Sequence, residues 1–153
     1  IGNPHALRDT CTAGVLSAVG SWVAGSALAR AAVEEIHAYL CGALPIDRVE
    51  VCYHPGQDES ECDCRKPRPG MLLAAARDLG VNPRDAWMVG DKVLDLELGR
   101  AFGCRVAWVG PKEWRARFAT EAAAWRPDVV ADGLLPAARS IVRKSTQVNP
   151  REA

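Results

Sequence analysis

The stretch A-W-M-V-G-D-K-V-L-D-L-E-L-G-R-A-F-G-C-R-V-A-W-V, residues 86–109, decides the fold. Residues 86–89 are all apolar, which suits a strand buried on both faces at the centre of a parallel sheet. Gly90 lets the chain leave that strand sharply. From Val93 to Phe102 the spacing predicts a helix, with Leu94, Leu98 and Phe102 as its buried stripe. Gly103 closes the helix, and residues 105–109 read as a second strand. Strand, helix and strand in one short stretch make a βα unit, and such units build parallel sheets.

The alternation continues outward. Residues 4–13 read as weakly helical, 15–19 (V-L-S-A-V) as a short strand and 20–26 as a loop. Between 28 and 40, Leu28, Ala32, Ile36 and Leu40 recur at helical spacing, with Gly42 as the expected cap. Residues 46–52 alternate apolar and polar and predict a strand that delivers Cys52 and His54 to its C-terminal end. A helix is expected over 69–79, with Pro at its start and Gly80 at its stop. Beyond 109 come a looser amphipathic segment with Trp114, Phe118 and Trp125, an edge strand over 128–131 and a helix over 134–142. The expected fold class is α/β: a Rossmann-like parallel sheet with helices on both faces and a metal-binding loop. Residues 1–143 are expected to form a single domain, followed by a polar tail over 144–153 that frays. Ligands in such folds sit beyond the C-terminal ends of the strands.

Bulk properties narrow the function classes. With 153 residues the chain is long enough for one real core. Nineteen basic side chains balance nineteen acidic ones, which argues against nucleic acid as a partner. No apolar run approaches the length that crosses a bilayer, and no signal peptide is visible, so no membrane partner is expected. Six cysteines, with Cys52, Cys62 and Cys64 in one cluster, suit a reducing cytoplasmic setting. The five tryptophans fit a core as well as an interface, and a monomer is the expectation.

The second informative stretch is V-C-Y-H-P-G-Q-D-E-S-E-C-D-C-R-K-P-R-P-G, residues 51–70. Cys52 and His54 are two apart, as are Cys62 and Cys64, so in extended chain each pair points to one side. Pro, Gly, Asp and Ser in the intervening loop let it turn back. Three thiolates and one imidazole make a closed tetrahedral set, the usual structural zinc site. The alternative is ordinary buried or disulfide cysteines. Arg65 and Lys66 follow at once, next to a helix start, where they could hold a phosphate. A solvated basic run is the alternative for them.

In Gly90-Asp91-Lys92-Val93-Leu94-Asp95, two carboxylates four apart share one helix face. Such a pair, with water and a phosphate, suits Mg²⁺, a hard ion that takes oxygen ligands. The alternative makes Asp91 a helix cap and Asp95 a match to the helix dipole.

Joined together, C-x-H, C-x-C-R-K-P-x-P-G-M and M-V-G-D-K-x-x-D resemble the haloacid dehalogenase (HAD) superfamily of phosphatases. The likeness is to the group that includes D-glycero-D-manno-heptose bisphosphate phosphatase and histidinol phosphatase, and it runs from about Ser21 to Val142. The resemblance implies a HAD-like fold and hydrolysis of a small phosphorylated metabolite through an aspartyl-phosphate. It implies zinc on Cys52, His54, Cys62 and Cys64, with Mg²⁺ on Asp91 and Asp95. Lys66 would neutralise the transferring phosphoryl group, and Arg65, Lys92 and Ser21 would contact substrate.

The family's nucleophile lies in a D-x-D-G motif on the first strand, and no D-x-D occurs upstream of Cys52. Asp9 stands alone, and the family's Thr-Asn-Gln-Ser run is reduced to an alignable Ser21. The chain starts with Ile, which adds to the expectation of an N-terminally truncated or degenerate domain that binds metals without turnover. Two other readings remain: a catalytically dead zinc-binding domain that binds a phosphorylated ligand or partner, and a histidinol-phosphate phosphatase.

Overall fold

The computed structural model describes residues 15–19, 27–54 and 62–146. The helix expected over 4–13, the loop over 20–26 and Ser21 lie outside the described residues. The chain divides into two units, Ile1–Val81 and Asn82–Ala153.

In the first unit, β1 (Val15–Val19) is followed by α1 (Ala27–Ala43), β2 (Arg48–Cys52) and α2 (Gly70–Leu79). β1 and β2 pair in parallel, Val15 opposite Arg48 and Val19 opposite Cys52. The expected cap at Gly42 is not one: α1 runs through it to Ala43, and the Leu44 N–H donates to the Leu40 carbonyl at 2.8 Å. A glycine stops a helix only where the chain turns left-handed, and Gly42 does not. Gly80 does, at φ 65°, and ends α2 as expected. α2 packs on β2 and buries Met71 and Ala75, one turn apart. Arg48 reaches from β2 to Asp78 on α2 at 2.5 Å and also pairs with Glu50, so strand and helix are tied at the surface as well as packed.

In the second unit, a 3₁₀ turn (Pro83–Asp85) leads into β3 (Trp87–Gly90), α3 (Val93–Phe102), β4 (Arg105–Val109), α4 (Lys112–Ala116), α5 (Ala119–Ala124), β5 (Val129–Ala131) and α6 (Leu134–Thr146). All pairing is parallel, in the order β3-β4-β5. Among the described residues β3 is therefore an edge strand, and the central place expected for it belongs to β4.

Side-chain alternation puts a helix on each face of this sheet. Met88 and Val106 face α3, so close that a Cβ on Gly99 would meet Val106 at 2.6 Å and Met88 at 2.7 Å. Ala107, Val109 and Val129 face the other way and pack with Ala137 of α6, with Trp87, Ala131 and Ile141 around them. The close approach at Gly99 turns the buried side of α3 to Asp95, Leu96, Leu98 and Gly99. The expected stripe of Leu94, Leu98 and Phe102 is thus corrected: Leu94 is 43% exposed, whereas Leu96 and Leu98 are essentially fully buried. Each of those two leucines contributes about 2 kcal/mol by leaving water. Arg100 pairs with Asp128 at 2.9 Å, and Asp128 accepts the Val106 N–H at 2.8 Å, which locks α3 to the start of β5.

α6 continues to Thr146, past the residue at which a fraying tail was expected to begin. Arg143 and Lys144 in its last turn complement the helix dipole, and Lys144 donates to the Asp128 carbonyl at 2.8 Å. No helix among the described residues is long and apolar enough to cross a membrane.

Candidate metal and phosphate site

In the first unit a metal-ligand cluster grows from the end of β2. Cys52, the strand's last residue, is fully buried, and His54 follows two residues later at the surface. Cys62 and Cys64 return beside them, and the four ligand atoms lie within 4.8 Å of one another. Cys52 Sγ is 3.8 Å from Cys62 Sγ and 3.1 Å from Cys64 Sγ. His54 presents Nδ1, at 3.0 Å from Cys64 Sγ and 3.6 Å from Cys52 Sγ. A tetrahedral zinc ion sets its S and N ligands roughly 3.5 to 3.8 Å apart, so the cluster needs only small adjustments to close around one. All five described cysteines are free, so the disulfide alternative is not the one adopted.

Burial first, then hydrogen bonds and repulsion from Cys52 and Cys62, push the Cys64 thiol up to about 12. Three sulfurs this close cannot all be thiolates without a cation among them. A bound divalent ion reverses that preference.

The basic run braces this loop. Arg65 donates from Nη2 to the His54 carbonyl at 2.9 Å, and Arg68 donates from Nη1 to the Cys62 carbonyl at 2.6 Å. One arginine thus holds each arm of the clasp. The Arg68 N–H closes a turn on the Arg65 carbonyl at 2.9 Å, and the Gly70 N–H donates to the Asp63 carbonyl at 2.8 Å, which delivers the chain into α2. Lys66 sits between the two arginines, half-buried. Arg68 was not among the residues singled out by sequence, and a carbonyl 6 residues away is not a partner that spacing reveals.

The carboxylate motif lies at the end of β3, in the second unit. A Cβ on Gly90 would meet the Asp95 carboxylate at 2.3 Å, so only glycine fits there. Asp95 is buried, and its Oδ2 accepts the Lys92 N–H at 3.2 Å. This carboxylate closes the first turn of α3. The cap position itself is held by Lys92, not Asp91. Asp91 is left with its carboxylate more than half exposed, and Lys92 Nζ lies 3.5 Å away. Its backbone is fixed by the buried Trp108, whose indole N–H donates to the Asp91 carbonyl at 3.2 Å. An exposed carboxylate on a rigid strand end suits Mg²⁺, which takes one or two carboxylates and completes its shell with water and phosphate.

Known proteins decide the family. The HAD-hydrolase-like family matches residues 63–137. A D-glycero-beta-D-manno-heptose-1,7-bisphosphate 7-phosphatase from Pseudomonas putida is 31% identical over 149 residues, 92% of this chain and 83% of that protein. The chain belongs to the HAD-like hydrolases.

The enzyme of the same name from Pasteurella multocida is 44% identical over 61 residues, 37% of this chain. In that alignment the HAD-like chain spans only a third of its relative's length. The crystal structure of the D,D-heptose 1,7-bisphosphate phosphatase from B. bronchiseptica, complexed with magnesium and phosphate, superimposes with a TM-score of 0.69. That comparison has 25% identity and covers 86% of the HAD-like chain and 75% of the other.

Proposed function

We propose that this HAD-like chain is a phosphomonoester hydrolase domain for a small phosphorylated sugar of the heptose bisphosphate type. Three things support the reading: family membership, the Cys₃His cluster joined to the Arg-Lys run, and the exposed carboxylate of Asp91 at a parallel strand's C-terminal end. The single most telling observation is Asp91: Gly90 leaves room for Asp95 to cap the helix, while the Asp91 carboxylate stays more than half exposed beside Lys92.

Cys52, His54, Cys62 and Cys64 would hold zinc, which stiffens the loop and does no chemistry. Asp91 would hold Mg²⁺, with Asp95 supporting the turn; bound Mg²⁺ supplies charge neutralisation for a transferring phosphoryl group. Lys66, by the same resemblance, would neutralise a transferring phosphoryl group. Arg65, braced on the His54 carbonyl, and Lys92, beside Asp91, would each offer donors to a substrate. Ser21 is assigned a substrate contact on resemblance alone. The substrate side is a small phosphorylated metabolite, and the working unit is a monomer.

The nucleophile is the remaining requirement. Formation of an aspartyl-phosphate needs a carboxylate in line with the phosphorus, and residues 1–51 contain no D-x-D. The 153-residue chain is therefore expected to bind metals and phosphate without turnover. Calorimetric titration of Mg²⁺ and inorganic phosphate together tests the site. The expected result is Mg²⁺-dependent phosphate binding that Asp91→Asn abolishes, with no phosphate release from sugar phosphates. Retention of that binding by Asp91→Asn would overturn the assignment of the magnesium site, and steady release by this chain would overturn the expected inactivity.

A further inference from the structure

The peptide unit between Asp91 and Lys92, just past β3, is gripped at both of its polar ends. Its N–H donates to the buried Asp95 carboxylate at 3.2 Å, and its carbonyl accepts the Trp108 indole N–H at 3.2 Å. The two bonds lie on opposite sides of one planar unit, so the peptide cannot rotate without losing one of them. On the near side, Gly90 is paired with Trp108 in the sheet. The backbone on each side of the Asp91 Cα is therefore set, and with it the direction in which the carboxylate leaves the chain.

Trp108 is itself held. It is only 5% exposed, and by alternation along β4 it shares the face of Val106, toward α3. The Arg115 guanidinium lies over its ring, 6.0 Å from the centroid. Arg115 in turn donates from Nε to the Gly110 carbonyl at 2.8 Å and pairs with Asp132. One line of contacts, from Asp132 through Arg115 and Trp108 to Asp91, thus ties together the turns that follow β5, β4 and β3. α4, held down by Arg115, also brings the Trp114 ring under Lys92, with Nζ 4.8 Å from the centroid. Phenylalanine at position 108 would supply an apolar ring as well. The indole adds one donor, and that donor goes to Asp91.

We infer that Trp108 is a positioning residue for the metal site at Asp91. Its indole N–H fixes the Asp91 carbonyl, so the carboxylate is already ordered when Mg²⁺ arrives, and the gain appears in the affinity for the ion. Arg115 and Asp132 act one step further back, by holding the indole in place. The inference rests on the proposed function, because it takes Asp91 to be the magnesium ligand. Trp108 acts through Asp91 and not on the reacting atoms.

The test is a Mg²⁺ titration of the full chain in the presence of inorganic phosphate, followed by heteronuclear NMR at the Trp108 indole and the Lys92 amide. In the wild type both signals are expected to shift with one midpoint. Trp108→Phe keeps a ring under Arg115 and removes the donor; the midpoint read at Lys92 should rise about fivefold, the size of one neutral hydrogen bond. Val129→Ala, in the core on the opposite face of the sheet, also lowers stability and should leave the midpoint unchanged. Where Trp108→Phe does not fold, Arg115→Gln keeps the indole and removes its brace, and a rise of about threefold is expected. An unchanged midpoint in whichever of the two folds, or an equal rise in Val129→Ala, overturns the inference. Asp91→Asn separates this from the proposed function. A Mg²⁺ response that persists in Asp91→Asn, or that is absent from the wild type, overturns the magnesium site itself; its loss in Asp91→Asn together with an unchanged midpoint in Trp108→Phe overturns the inference alone.

Discussion

Replacing Cys64 with serine strikes the cluster at its most crowded point. Its Sγ lies 3.1 Å from Cys52 Sγ and 3.0 Å from His54 Nδ1, so no other ligand can fill the corner it leaves. A structural zinc site contributes roughly 12 kcal/mol over four ligands, or roughly 3 kcal/mol each, and a loss of that size weakens zinc about a hundredfold. The consequence reaches the basic run, because Arg65 and Arg68 are anchored to the carbonyls of His54 and Cys62, one on each arm of the clasp. Two readouts follow. Zinc content after dialysis against a graded chelator series should fall at about a hundredfold lower chelator strength than in the wild type. Amide exchange at Arg68 and Gly70, whose N–H groups close the turns on Arg65 and Asp63, should speed up in the variant. Full zinc retention by Cys64→Ser at chelator strengths that strip a hundredfold weaker site would refute the four-ligand reasoning.

Other expectations are more local. Gly90→Ala drives a methyl group to within 2.4 Å of the Asp95 side-chain carbons, so the cap on α3 must break. A stability loss of about 1–3 kcal/mol is expected, and an unchanged melting temperature would show that the Asp95 contact is not required. In the metal-free protein the raised Cys64 thiol keeps its proton in the fold at a pH where the unfolded chain has lost it. That contribution is full below the ordinary value of 9.0 and is lost as pH rises toward about 12. Between about pH 8 and pH 10 the metal-free wild type should lose more thermal stability than metal-free Cys64→Ala, and equal losses would contradict the assignment.

The parts of the fold legible in the sequence were those set by neighbours along the chain. The limits of α3, from Val93 to Phe102, and of β4, from Arg105 to Val109, follow from local apolar runs closed by Gly90 and Gly103. The four metal-ligand candidates were legible for the same reason, since two short pincers joined by a turning loop are local features. What depended on distant chain was not. The stripe on α3 shifted to Leu96 because Gly99 lets the helix settle against Val106 and Met88, which nothing in a helical repeat specifies. The fate of the two carboxylates in the Asp91 motif was also hidden. Their spacing shows one face, but which one turns back to cap the helix depends on the space over Gly90. Arg115 and Asp132 are 17 residues apart, and Lys92 and Trp114 meet only because α4 is held down by that pair. The helix through Gly42 is a different case, in which a residue that often ends helices was placed where the backbone bonds simply continue.

The central claim is that the carboxylate left exposed after β3 holds Mg²⁺ for a phosphate. Affinity for inorganic phosphate, measured with and without Mg²⁺ in the wild type and in Asp91→Asn, tests that directly. The account predicts a Mg²⁺-dependent affinity that Asp91→Asn lowers by at least about tenfold. A Mg²⁺-dependent affinity that is unchanged in Asp91→Asn would contradict the account.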